Sequence, residues 1–166
     1  VGEYLLNFHP GANHDIEDYL EKNGFEIIEA RMTDVIRKTY FYQDSQNREY
    51  HLKRPLTQKI WYHVANKAFD VAHDMTDRIA KRHPLYEPAL RMEEMVKDSD
   101  AVIQQTFDAG EGGLISGEIL HHAKRGCRAF VILQPFGCLP NHVVGRGIAK
   151  KLEELYPDVQ ILPLDY

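Results

Sequence analysis

Two strand-like apolar runs, "RAFVILQP" (128–135) and "VQILPLDY" (159–166), flank a stretch of helical periodicity, "NHVVGRGIAKKLEELYP" (141–157). Strand, helix and strand in that order close as a right-handed parallel crossover, and this constrains the chain more than any other feature. Upstream, "DAVIQQTF" (100–107) reads as a strand and "LISGEILHHAKRG" (114–126) as a helix. Residues 100–166 are therefore expected to form a βαβαβ run. The N-terminal region repeats the unit, with "EYLLNF" (3–8) as a buried strand, "GANHDIEDYLEKNG" (11–24) as a helix and "FEIIEAR" (25–31) as a second strand. Asn13 is placed to cap the start of that helix, and Gly24 to supply the left-handed residue that ends it.

Between these parts the strand signal is lost, and 33–99 reads as a largely helical insertion. Ile60, Trp61, Val64, Ala68, Val71, Met75 and Ile79 step by three and four, which predicts a long amphipathic helix. "HPLYEP" (83–88) interrupts it with two prolines, "ALRMEEMVKDS" (89–99) resumes as a shorter helix, and "YFYQDSQNREYHLKRP" (40–55) mixes helix and loop. With 166 residues there is enough chain for one α/β domain spanning 1–166 with a real core. The chain opens without Met and stops on strand-like residues, so a piece of a larger polypeptide is expected.

Composition narrows the partners. At 43% hydrophobic, 27% charged and a formal charge of -5, nothing electrostatic points to nucleic acid or to an anionic membrane. No apolar stretch approaches the ~20 residues of a membrane span and no signal peptide opens the chain, so a cytoplasmic protein is expected. Two cysteines are too few for a disulfide framework.

Ligands of parallel α/β sheets gather outside the carboxyl ends of the strands, which singles out the loops "HPGAN", "DAGEGG" and "FGCLPN". His9 and Asn13 belong to the first, where His9 and His14 flank the loop and can face one crevice. Gly110, Gly112 and Gly113 in the second are placed either to cradle a ligand with backbone amides or simply to turn, and Glu111 opposes an anion there. His121 and His122, adjacent on a helix, point about 100° apart and make poor joint ligands. Cys127 at a strand start packs like a small apolar residue. Cys138 stands on a loop shaped by Gly137 and by prolines, before the helix that Asn141 and His142 open, where a ligand or reactive sulfur belongs. Metal ligand, nucleophile and packing residue all remain open for it. His142 is a candidate base for the nucleophile, with no orienting carboxylate evident.

"FVILQPFGCLPNHVVGRG", preceded by "GEILHHAKRGC" and followed by "YPDVQILPLDY", resembles the C-terminal part of the large CoA-substrate-specific enzyme activases. These are relatives of the activator and dehydratase components of 2-hydroxyglutaryl-CoA dehydratase and benzoyl-CoA reductase. "LNFHPGANHDIEDYLEKNGFEII" and "TFDAGEGGLISGEI" fit the same family, and the Pro-Phe-x-Cys-x-Pro loop is its most specific element. The resemblance implies a parallel Rossmann-like or flavodoxin-like three-layer sheet with a largely helical insertion. It implies a dehydratase-like domain that serves an iron-sulfur electron-transfer site, with Cys138 as one thiolate ligand of a [4Fe-4S] cluster in the full-length protein. The isolated piece is expected to hold no cluster and to be inactive alone. Its partners would be the rest of the parent polypeptide or a dehydratase or reductase subunit, with self-association as a further option. The alternative is a module that docks a partner or a CoA-type ligand, without metal, in which Cys138 is structural.

Overall fold

The crossover is the centre of the fold. In the computed structural model, which describes residues 1–29, 32–88, 90–104, 110 and 112–166, strands β1 (Ala129–Gln134) and β2 (Gln160–Asp165) pair in parallel, Ala129 opposite Gln160 and Gln134 opposite Asp165. The connection is a wide π turn, Leu139–Gly145, running directly into a helix at Arg146–Leu155. A further helix, Gly112–Lys124, precedes β1. Ile115, Ile119 and Leu120 of that helix, Phe130 and Ile132 of β1, and Ile148 and Leu152 after the crossover form one apolar core.

Numbered along the chain, the helices are α1 (Tyr4–Phe8), α2 (Pro10–Asn13), α3 (Ile16–Lys22), α4 (Met32–Glu49), α5 (Leu56–Ala80), α6 (Met92–Ser99), α7 (Gly112–Lys124) and α8 (Arg146–Leu155). The chain divides into two units, Val1–Ala30 with Glu93–Tyr166, and Arg31–Met92. Among the described residues no helix is long and apolar enough to cross a membrane.

The three-layer Rossmann-like or flavodoxin-like sheet is not what forms. The described residues are mostly helical, and the sheet has two strands plus one bridge, Gly2 to Leu133. A three-layer fold needs helices on both faces of the sheet. Here Phe130 and Ile132 take one face to the core, while Leu162, on the opposite face, is 55% exposed.

The expected strands outside the crossover do not form among the described residues. "EYLLNF" is helical because the Glu3 carboxylate accepts the Leu5 amide at 3.4 Å and caps α1. The extended pairing moves upstream, where the Leu133 amide donates to the Val1 carbonyl at 2.9 Å and the Glu3 amide to the Leu133 carbonyl at 2.8 Å. Only glycine allows this approach, since a Cβ on Gly2 (φ 109°) would collide with the Leu133 carbonyl oxygen. Of "FEIIEAR", residues 25–29 have no regular structure, and 30–31 lie outside the described residues. Of "DAVIQQTF", residues 100–104 continue from α6 as turns, with the Val102 and Ile103 amides both donating to the Ser99 carbonyl at 2.9 Å; 105–107 lie outside the described residues. Asn13 ends α2 rather than capping α3, whose preceding residue is Asp15, while Gly24 does take a positive φ of 85°.

In the second unit α4 and α5 pack on each other through polar side chains. Arg37, 2% exposed, pairs with Asp70 at 2.8 Å. His73 lies 3.5 Å from Asp34 and 3.3 Å from the Thr33 hydroxyl. Phe41 and Tyr62 supply the apolar part of this interface. The stripe Ile60, Trp61, Val64, Val71, Met75 and Ile79 faces outward, from 49% exposed at Val71 to 76% at Ile79.

Candidate functional site

The loop after β1 is built in two steps. Pro135 to Cys138 make a tight turn, with the Cys138 amide donating to the Pro135 carbonyl at 3.0 Å. Gly137 at its third position has φ 77°, the value a type II turn requires. Phe136 is left at the apex, 81% exposed. Cys138 then opens the π turn, its carbonyl accepting the amides of His142 at 2.8 Å and Val143 at 3.2 Å. Single π turns of this kind recur at functional sites.

Asn141 fixes the thiol. It is fully buried, and its side-chain Nδ2 donates to Cys138 Sγ at 3.5 Å and to Glu3 Oε2 at 3.3 Å. The carboxylate that caps α1 and the half-buried sulfur at the carboxyl end of β1 therefore share one amide.

His142 is held by the end of β2 and by the Gly137 turn. Its Nδ1 lies 3.1 Å from Asp165 Oδ1 and 3.4 Å from the Gly137 amide nitrogen, and its ring packs edge-on against Phe136 with centroids 5.2 Å apart. Asp165 also accepts Gln134 Nε2 at 2.5 Å and Arg146 Nη1 at 3.2 Å. Asp165 is thus a carboxylate partner for His142 that the sequence reading lacked. Among the described residues no hydrogen bond joins the imidazole to Cys138 Sγ, so the pair a cysteine hydrolase needs is not assembled.

The glycine loop meets the cysteine loop. Gly110 (φ 51°) is within van der Waals reach of Pro140, and a Cβ on Gly112 would stand 2.9 Å from the Pro140 carbonyl oxygen and 3.0 Å from Val144 Cβ. The Gly113 carbonyl accepts the Ser99 hydroxyl. Gly112 and Gly113 are buried, so the start of α7 is covered by the protein's own π turn. Glu111 lies outside the described residues.

The first loop joins from the other side. Asn13 Nδ2 donates to the Leu6 carbonyl at 2.7 Å, and the Asn13 carbonyl accepts the Tyr166 hydroxyl at 3.0 Å. Burial pushes the Tyr166 phenol above its ordinary pKa. His14 stacks on Tyr166 at 5.6 Å, held in the left-handed region together with Asp15 at φ 55° and 54°. His9 stays at the surface beside Gly11.

Cys138, Asn141, His142, Gly137, Gly110 and Gly112 are thus brought to one edge of the sheet, with Asn13 close by through Tyr166, and His9 is not joined to them. Glu3, Asp165 and Arg146 were missed in the sequence. Asp165 sits at the carboxyl end of a readable strand, so the rule that points to strand ends could have found it.

A complete iron-sulfur cluster does not fit the residues of this chain alone. Cys127 precedes β1 and Cys138 follows it, and a six-residue strand separates its ends by roughly 20 Å. One thiolate is what this edge can offer. Among the described residues no group of three or more His, Cys, Asp or Glu is arranged to hold a metal ion. Compared with known families, curated proteins and solved structures, the chain matches none.

Proposed function

We propose that this chain is the dehydratase-like part of a CoA-substrate-specific enzyme activase, whose Cys138 loop gives one thiolate to an iron-sulfur electron-transfer site. The remaining ligands come from the parent polypeptide or from a dehydratase or reductase subunit, in the cytoplasm. The reading rests on the Pro-Phe-x-Cys-x-Pro loop and not on the fold, since the three-layer sheet that came with the resemblance is absent.

The observation that carries it is the buried Asn141 amide aimed at Cys138 Sγ at the carboxyl end of β1. A packing cysteine needs no such donor, whereas a ligating thiolate is stabilised by one. The hydrolase reading lacks its central contact, since among the described residues no hydrogen bond joins His142 to Cys138 Sγ, although Asp165 supplies a carboxylate that can orient the imidazole.

The test is anaerobic reconstitution with iron and sulfide of this chain and of its longer parent, each unaltered and as Cys138→Ser, reading bound iron and the visible spectrum. The expected result is a cluster in the parent that the substitution removes or cripples, with little iron on the piece alone. Iron content in the parent that ignores the substitution overturns the reading and leaves a docking module in which Cys138 is structural.

A further inference from the structure

We propose that α5 is a dimerisation helix: its outward face takes the α5 of a second copy of this chain, antiparallel, along a seam of Trp61, Val64, Ala68, Val71 and Met75. The proposal is independent of the cysteine loop.

The seam is an inversion of the usual arrangement. An amphipathic helix ordinarily buries its apolar stripe and exposes its polar one. The face of α5 that packs on α4 carries polar residues, Asp70 and His73, which are taken up by Arg37, Asp34 and Thr33 of α4. The apolar stripe is left outside, and a patch of this extent marks an interaction surface on a soluble protein.

Its pattern and its area suit another helix. Residues 61, 64, 68, 71 and 75 alternate steps of three and four, the spacing of a two-helix seam. Small Ala68 at the middle lets two backbones approach. The helix runs 25 residues, roughly 37 Å. Leu56 and Ile79 extend the apolar surface at its two ends, at 71% and 76% exposure. Taking about 100 Å² from each large outward side chain, the helix presents roughly 700 Å² per copy, close to the ~800 Å² per partner of a standard stable interface.

Charge selects the second copy and its direction. In an antiparallel pair Ala68 faces Val71 of the other copy, Val64 faces its Met75, and Trp61 faces its Arg78, a cation over an indole. Lys67 and Asp74 border the same side of the seam, so each copy's lysine comes within reach of the other's aspartate, twice by symmetry. Among the described residues Asp74 has a 3.9 Å exposed contact to Arg91, which competes weakly. A parallel pair instead sets Arg78 against Arg78. A lipid surface fits less well, since an interfacial helix carries a cationic polar face, whereas on α5 Asp70, Asp74 and Asp77 offset Lys59, Lys67 and Arg78.

Sedimentation velocity of the full chain from 1 to 100 μM tests this, with far-UV circular dichroism on each variant. The unaltered chain should sediment as a dimer and Val71→Glu/Met75→Glu as a monomer, weakened at least ~100-fold with helix content unchanged, because both side chains are exposed in one copy. Lys67→Asp should weaken association by roughly 5-fold at low salt, and Lys67→Asp/Asp74→Lys should restore it, a readout that leaves the apolar residues intact. A monomer throughout the range overturns the proposal, as does a dimer indifferent to the glutamate pair or to Lys67→Asp. A monomer that co-sediments with phosphatidylserine vesicles overturns it in favour of a lipid surface.

Discussion

Replacing Gly117 with alanine should destabilise the protein by about 2 kcal/mol, against the ordinary preference of helices for alanine. Gly117 lies inside α7, buried where α6 crosses it. A Cβ there would run into the Met95 carbonyl oxygen and stand 2.7 Å from Met95 Cγ and 3.0 Å from the Met95 carbonyl carbon. The obstruction is main chain, so α6 itself must move. Moving it strains the neighbouring contacts, since buried Ser99 at the end of α6 bonds to the Gly113 carbonyl and lies 2.9 Å from the Ser116 hydroxyl. Overpacking costs about 1–3 kcal/mol, and the upper end applies where backbone blocks backbone; alanine returns about 1 kcal/mol of helix propensity. For a chain of this length the net corresponds to roughly 4–8 °C in Tm. Gly147 in α8 is the control, because a Cβ there meets nothing within 4 Å and alanine should stabilise by up to about 1 kcal/mol. Urea denaturation and thermal melts of both variants provide the check. A Gly117→Ala protein as stable as the parent refutes the close approach of α6, and equal losses in both variants refute contact as the cause.

Stability should fall as pH rises from about 5 to 8 through one carboxyl: burial, with a hydrogen bond and like charge from Glu17, pushes Glu29 up to about 7 from an ordinary value of 4.5. The folded state holds that proton where the unfolded state has lost it, so this contribution is complete below pH 4.5 and gone above about 7; Glu29→Gln should flatten the Tm-pH curve in that window, and an unchanged curve refutes the assignment. Asp70→Ala removes an ion-pair partner of nearly buried Arg37 and should cost about 2 kcal/mol by urea titration, reduced from the full buried-pair value because Asp70 is partly exposed. Adding Arg37→Met should recover part of that loss, and a double variant worse than the sum of the two refutes the pairing.

The residues show where the sequence was readable. β1 and β2 were legible because their β-branched and leucine-rich runs are bounded by Pro and Gly, which leaves a parallel crossover as the economical solution. "EYLLNF" was not, because a six-residue apolar run has no period to separate strand from helix. The Glu3 cap decides it, and that cap depends on a contact with Asn141 that lies 138 residues away in the chain. For α5 the period was legible and the phase was not. Periodicity tells which residues share a face, and the partner tells which face is covered. Arg37 and Asp34 on α4 claimed the polar one.

The cysteine loop was legible from Gly137 and its prolines, while what holds it was not, since Asp165 meets His142 only through the register that sets Gln134 opposite Asp165. The glycines after residue 109 carry the same lesson in reverse. In sequence they suggest a cradle for an anion, yet the space beside Gly112 is taken by Pro140 and Val144, so the protein's own loop packs against the start of α7. That contact has a consequence for the thiol. Cys138 is held from one side by the Pro135 turn and from the other by the Pro140 backbone seated on Gly112, with Asn141 beneath it. A sulfur held by main chain on both sides presents one fixed position to whatever approaches the loop.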